Sequence, residues 1–219
     1  MGAVFVIGAG PGIGRAVVRR FASTGRPVGV VARTRATVDE VVADLDTPTA
    51  GVLADVADEA GLGGALGDLV DRLGVPEVVV YNAGVIRTDR VTDLDARTVA
   101  DTFAVNVGGA VTAAAYLLPR MVDHGGGSFL ATAGMPTPLP TLTTLSLGKA
   151  GLRALVELLA TEWAPRGIGC STVTVCGPVA PGTDYDPDVI AEEYLRLHET
   201  PVTQRPFDIR FGNPADAAG

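Results

Sequence analysis

Gly8, Gly10, Gly12 and Gly14, four glycines within seven residues, follow an apolar run from Ala3 to Ile7 and lead into a helical pattern that begins near Ile13. That arrangement could hold a phosphate. Glycines let a backbone turn sharply and approach an anion closely, and the start of a helix offers unpaired N–H groups with a partial positive charge. Such a turn can also serve packing alone, but four glycines at a strand-to-helix junction favour cofactor binding. The next apolar run, Pro27 to Ala32, ends in Arg33. An acidic residue at that place binds the ribose of NAD, whereas a basic one can pair with the 2′-phosphate of NADP. The first acid after Arg33 is Asp39, so NADP is the expected cofactor and NAD the second choice.

The elements that must position these residues alternate along the chain. Helical patterns are read at Thr37 to Leu45, Glu59 to Leu73, about Asp95 to Met121, Leu147 to Trp163 and from the Asp186-Pro187 start to about His198. Strands are read at Thr49 to Asp55, Pro76 to Tyr81, Ser128 to Thr132, Ile168 to Cys176 and Phe207 to Phe211. Strand alternating with helix implies right-handed crossovers and a doubly wound parallel α/β sheet of Rossmann type. Ligands of such sheets lie outside the carboxyl ends of the strands, where Asp55 and Asn82-Ala83-Gly84 fall. One domain is expected over residues 1–212, with 178–206 as a substrate-loop or lid segment and 213–219 as a frayed end.

Composition narrows the partners. The chain has 219 residues, a net charge of -8 and no basic run, which argues against a nucleic-acid surface. No run of about 18 apolar residues or export signal is read, so no membrane partner and a cytoplasmic location are expected. Cys170 and Cys176 fit neither a metal clip nor a redox pair, and no metal is expected. The Leu147 to Trp163 pattern is apolar on more than one face, which predicts a homo-oligomer, dimer or tetramer, through the 95–121 and 147–163 helices.

Taken together, these motifs resemble the short-chain dehydrogenase/reductase family over nearly the whole chain. Gly8, Gly12 and Gly14 match its GxxxGxG turn, Asn82-Ala83-Gly84 its NAG motif, and Val105-Asn106-Val107 with Gly109 the segment around its active-site Asn. Pro119 with Met121 and Ala164-Pro165 with Gly167-Ile168 also fall where the family has them. The resemblance implies strand order 3-2-1-4-5-6-7 and a cofactor site of Gly8, Gly10, Gly12, Ile13, Gly14, Arg33, Asp55, Val56, Asn82, Ala83, Gly84 and Lys149. Asp55 is similar to the acid that contacts adenine. The family's Lys holds the nicotinamide ribose and lowers the pKa of a Tyr four residues earlier, while its Asn anchors a water in the proton relay.

Here Lys149 and Asn106 are present, but the Tyr position is Leu145. The family's catalytic Ser falls on Gly134 if aligned by the strand, or on Thr132 if aligned by distance to the Tyr position. Thr132 could supply a hydroxyl. Asn106, Lys149, Thr132 and Tyr185 are therefore the candidate catalytic residues, with Tyr185 the first choice of replacement donor because its loop covers the substrate in the family. Ser146, Tyr81, Asp184, His124 and His198 are further donors, each more readily explained by packing or surface roles. A positioned general acid contributes roughly 10²- to 10⁴-fold. The expected activity is therefore NADP-dependent hydride transfer to a small molecule that needs no strong acid, such as an iminium ion or conjugated alkene. A non-redox enzyme performing cyclisation, elimination or isomerisation, and a silent NADP-binding module, are the alternatives.

Overall fold

The computed structural model describes residues 1–213. Most of the expected frayed end therefore lies outside the described residues. Seven strands form one parallel sheet: β1 (Ala3–Ile7), β2 (Val28–Ala32), β3 (Thr49–Leu53), β4 (Pro76–Tyr81), β5 (Gly127–Gly134), β6 (Ile168–Val175) and β7 (Asp208–Phe211). Their order is β3-β2-β1-β4-β5-β6-β7, as the resemblance implied. The chain winds outward from β1 to β3, then crosses back to place β4 on the other side of β1. The two halves diverge at that point, leaving a crevice above β1 and β4.

Helices cover both faces because the central strands are buried on both. On one face lie α3 (Glu59–Leu73), α4 (Ala96–Phe103), α5 (Gly109–Asp123) and α6 (Thr143–Trp163). Leu62, Leu66, Leu117, Leu152 and Val156 there pack with Phe5, Ile7 and Phe129. The opposite face carries α1 (Ile13–Ala22), α2 (Arg35–Val42) and α7 (Pro187–Glu199), where Val17, Phe21, Ile190 and Tyr194 pack on Val4, Val6 and Leu130. Truncating any fully buried Leu here would cost about 2–5 kcal/mol.

The helix expected over 95–121 is interrupted. α4 and α5 are joined by a π turn, Ala104–Gly108, in which the Gly109 N–H bonds to the Ala104 carbonyl. The whole run, Ala96–Asp123, has the length and hydropathy (1.3) of a membrane span, but half of its most apolar window is buried inside the protein.

Candidate active site

The glycine turn joins β1 to α1 at the head of the crevice. Gly8 has φ +87°, a conformation that favours glycine. Its carbonyl accepts from the Gly10 N–H at 2.9 Å and from Asn82 Nδ2 at 2.8 Å. Gly14 is needed for closeness, since a Cβ there would stand 2.6 Å from the Gly8 oxygen. Gly10 and Gly12 differ from it: a Cβ on either would meet nothing within 4 Å. Two glycines thus hold the turn together and two leave its outer side open. Among the described residues, no protein acceptor takes the backbone N–H groups of Ile13 and Gly14 at the start of α1. An open backbone with free N–H groups at a helix start fits a pyrophosphate.

Along the crevice, Arg33 is exposed just beyond β2 and makes no ion pair among the described residues. Asp55 is exposed beyond β3, its carboxylate accepting from the Ala57 N–H at 3.0 Å, and Val56 beside it is buried. Tyr81 at the end of β4 is fully buried and donates to the Val105 carbonyl at 2.5 Å, inside the π turn. Burial, and then the charge of Asp55, raise the pKa of this phenol above its ordinary value. Tyr81 is therefore a fastener of the π turn.

That turn sets Asn106. The Asn106 side chain is fully buried, and its Oδ1 accepts from the Val85 N–H at 2.9 Å. Among the described residues its Nδ2 has no hydrogen-bond partner, and it lies 2.7 Å from where a Cβ on Gly148 would stand, so α6 approaches this closely only because residue 148 is glycine. The structure brings Asn106, Gly84 and Lys149 together: a Cβ on Gly84 would lie 3.3 Å from both Asn106 Oδ1 and Lys149 Nζ.

Lys149 is buried on α6 and its Nζ donates to the Thr132 carbonyl at 2.7 Å. Burial, followed by the charge of Arg153 one turn on, pulls its pKa down to about 8. Arg153 in turn donates to the Gly134 carbonyl at 2.5 Å. The start of α6 is fixed by buried Asp89, which accepts from the Thr144 N–H at 3.0 Å and from its hydroxyl at 2.5 Å. Leu145, one turn before Lys149, is buried. The Ser146 hydroxyl is engaged with the backbone of Leu139.

Two expected donors are not brought to Lys149. The Thr132 side chain points to the opposite face of the sheet, with Leu130, because side chains alternate along a strand. There its hydroxyl contacts Asn82 Oδ1 at 2.7 Å and the Tyr194 hydroxyl at 2.6 Å, and only its carbonyl meets Lys149. Tyr185 is not beside Lys149 either. It is buried on the α1 and α7 side, in a slot where a Cβ on Gly177 or Gly212 would strike its ring. Its hydroxyl accepts from the Asn213 N–H at 3.2 Å and its ring meets Phe211 edge-on.

Sequence reasoning missed three contributors. Val85 supplies the N–H for Asn106, and Arg153 follows Lys149 at helical spacing, a signal the sequence did carry. Tyr194 was legible only as part of the apolar face of α7.

A family profile described as short chain dehydrogenase matches residues 2–192. An uncharacterized oxidoreductase of Staphylococcus epidermidis is 27% identical over 185 residues, covering 82% of this chain and 80% of its own. Among solved structures, a short-chain dehydrogenase from Streptomyces avermitilis superposes with a TM-score of 0.89 at 24% identity, over 98% of this chain and 89% of that one. A metagenomic short-chain oxidoreductase in complex with NADP gives 0.84 at 22% identity, over 97% and 98%. At these identities the two structures speak to the fold.

Proposed function

The chain belongs to the short-chain dehydrogenase family and is an oxidoreductase of that type; from that premise we propose that it binds NADP and transfers hydride to a small molecule without a phenolic proton donor. The observation that carries this reading is the pairing of a retained Lys149 and Asn106 with Leu145 one turn before the lysine. When bound, NADPH supplies the hydride. The open backbone at Gly10 and Gly12, with the Ile13 and Gly14 N–H groups, would receive the pyrophosphate, and Arg33 the 2′-phosphate. Asp55 and Val56 would border the adenine, and Asn82, Ala83 and Gly84 the middle of the site. Lys149 would hold the ribose, while Asn106 fixes the chain beyond β4 through Val85.

No tyrosine on α6 reaches the position beside Lys149, Thr132 turns its hydroxyl away, and Ser146 is engaged. A substrate that already carries its positive charge, such as an iminium ion, suits this arrangement, as does a conjugated alkene protonated late by water. The chain is further proposed to assemble as a homo-oligomer. Leu147, Ala154 and Leu158 form an exposed stripe on α6 beside exposed Phe103 and Val111 of the neighbouring run.

The test is calorimetric titration with NADPH and NADH, followed by turnover assays on ketones, iminium ions and enones. Tighter binding of NADPH is expected, and Arg33→Ser should weaken it by roughly 10-fold or more, the scale of a charge-assisted hydrogen bond, with little change for NADH. NADPH binding without consumption by any of the three classes would end the hydride-transfer reading. Light scattering tests the assembly, and a monomer at micromolar concentration would refute it.

A further inference from the structure

Behind the glycine turn, three side chains connect α7 to the Gly8 carbonyl. The Tyr194 hydroxyl lies 2.6 Å from Thr132 Oγ1, Thr132 Oγ1 2.7 Å from Asn82 Oδ1, and Asn82 Nδ2 2.8 Å from the Gly8 carbonyl oxygen. Proton count fixes the direction. A carbonyl can only accept, so the Asn82 amide must present Nδ2 to Gly8 and Oδ1 to Thr132. Thr132 has one hydroxyl proton, which goes to Oδ1, and Tyr194 must therefore donate to Thr132. The chain of donors runs one way, from α7 through β5 and the end of β4 into the turn.

We propose that Tyr194 and Thr132 are positioning residues for the dinucleotide turn, holding the Asn82 amide in the one orientation that anchors the Gly8 carbonyl. The Gly8 oxygen also accepts from Gly10 and lies under Gly14, so its place sets both the open side of the turn and the start of α1. Without the Thr132 hydroxyl, Asn82 Oδ1 loses its donor and the amide loses its reason to keep Nδ2 toward Gly8. Packing alone does not explain Tyr194. It is fully buried, and a phenylalanine would fill the same volume without a hydroxyl to desolvate. Because α7 follows directly on the 178–186 loop, the relay also ties the substrate segment to the cofactor end of the crevice.

The inference rests on the glycine turn binding a dinucleotide, so the experiment first titrates the wild-type protein with NADPH and NADH by calorimetry. Thr132→Val is expected to raise the Kd for the tighter-bound dinucleotide about three- to tenfold, the scale of one lost hydrogen bond, and Thr132→Ser to restore it. Tyr194→Phe should raise it by a smaller factor, and the Thr132→Val/Tyr194→Phe double variant should match Thr132→Val alone, since the two act through one path. Wild-type Kd values in both single variants, or effects that multiply in the double, overturn the relay while leaving dinucleotide binding in place. Failure of the wild-type protein to bind either dinucleotide overturns both. Should Thr132→Val not fold, Tyr194→Phe decides the matter by the same titration, with an unchanged Kd as the refuting result.

Discussion

Leu145 and Lys149 lie one turn apart on α6, both buried, and the lysine ammonium is directed at the Thr132 carbonyl 2.7 Å away. A residue at 145 is thus a neighbour of the lysine on one helix face, with an aliphatic side chain where a phenol would meet the ammonium. Leu145→Tyr is expected to raise ketone reduction by NADPH by about 10²- to 10⁴-fold, the usual contribution of a positioned general acid. Nicotinamide absorbance reads the rate. Equal ketone rates in wild type and variant would show that the phenol is not what limits this chemistry.

Lys149 should also shape the pH dependence of stability. Its pKa falls from 10.5 to about 8 on folding, so between those values the unfolded chain binds more protons than the folded one. Stability then rises with pH across that window, and below pH 8 the buried ammonium imposes its full penalty. Lys149→Met should stabilise the ligand-free protein at pH 7 by roughly 2 kcal/mol: each pKa unit corresponds to about 1.4 kcal/mol, less about 1 kcal/mol for the lost bond to Thr132. The same variant should bind dinucleotide more weakly. Denaturant melts at pH 7 and 10 check the sign, and a destabilised variant at pH 7 contradicts it.

The glycines of the turn divide into two classes with opposite outcomes. Gly14→Ala places a methyl group 2.6 Å from the Gly8 oxygen and 2.8 Å from the Ala9 Cα, and should cost about 1–3 kcal/mol of stability. Gly12→Ala meets open space and should leave the melting temperature within a degree or two, while weakening dinucleotide binding through lost close approach. Thermal melts and titration of both variants separate the roles, and equal loss of stability would merge them.

At the amino ends of the strands, His198 Nδ1 lies 2.8 Å from Ser128 Oγ, and Arg26 reaches its Nε2 at 3.0 Å. An arginine can only donate, so Nε2 is the acceptor and the ring proton sits on Nδ1. Burial first, and then Arg26, push the His198 pKa down to about 4. Between pH 6.5 and 4 the unfolded chain takes up a proton that the folded chain refuses, so stability should fall as pH drops through that interval. His198→Asn should flatten this part of the stability profile, measured by urea melts at pH 7, 6 and 5. An unchanged slope would assign the acid sensitivity to carboxylates alone.

Periodicity made the sheet, its helices and the glycine turn legible, because each is a local pattern: α3 and β4 span Glu59–Leu73 and Pro76–Tyr81, the bounds expected from their patterns. The proposed cofactor end of the site rests on residues adjacent in sequence. Thr132 shows where that stops. Its place on β5 was readable, but its direction depends on which helices cover each face, a long-range fact. Tyr185 shows a second limit. Its loop is rich in Gly and Pro, but the slot that holds its ring is opened by Gly177 at the end of β6 and by Gly212 beyond β7, a long-range pairing. The π turn left only one local trace, the pair Gly108 and Gly109.

That turn has a consequence for how the chain tolerates length changes. A π turn is an α-helix carrying one extra residue, and the helices on either side keep their faces toward the sheet because the bulge absorbs it. Deleting one residue between 104 and 108 would heal the run into a regular helix and leave α5 seated. It would also withdraw Asn106 from the Val85 N–H and free the Tyr81 hydroxyl. One codon thus separates a chain that holds Asn106 beside Gly84 and Lys149 from one that keeps the same sheet and helices, at the cost of two buried hydrogen bonds, without that grouping.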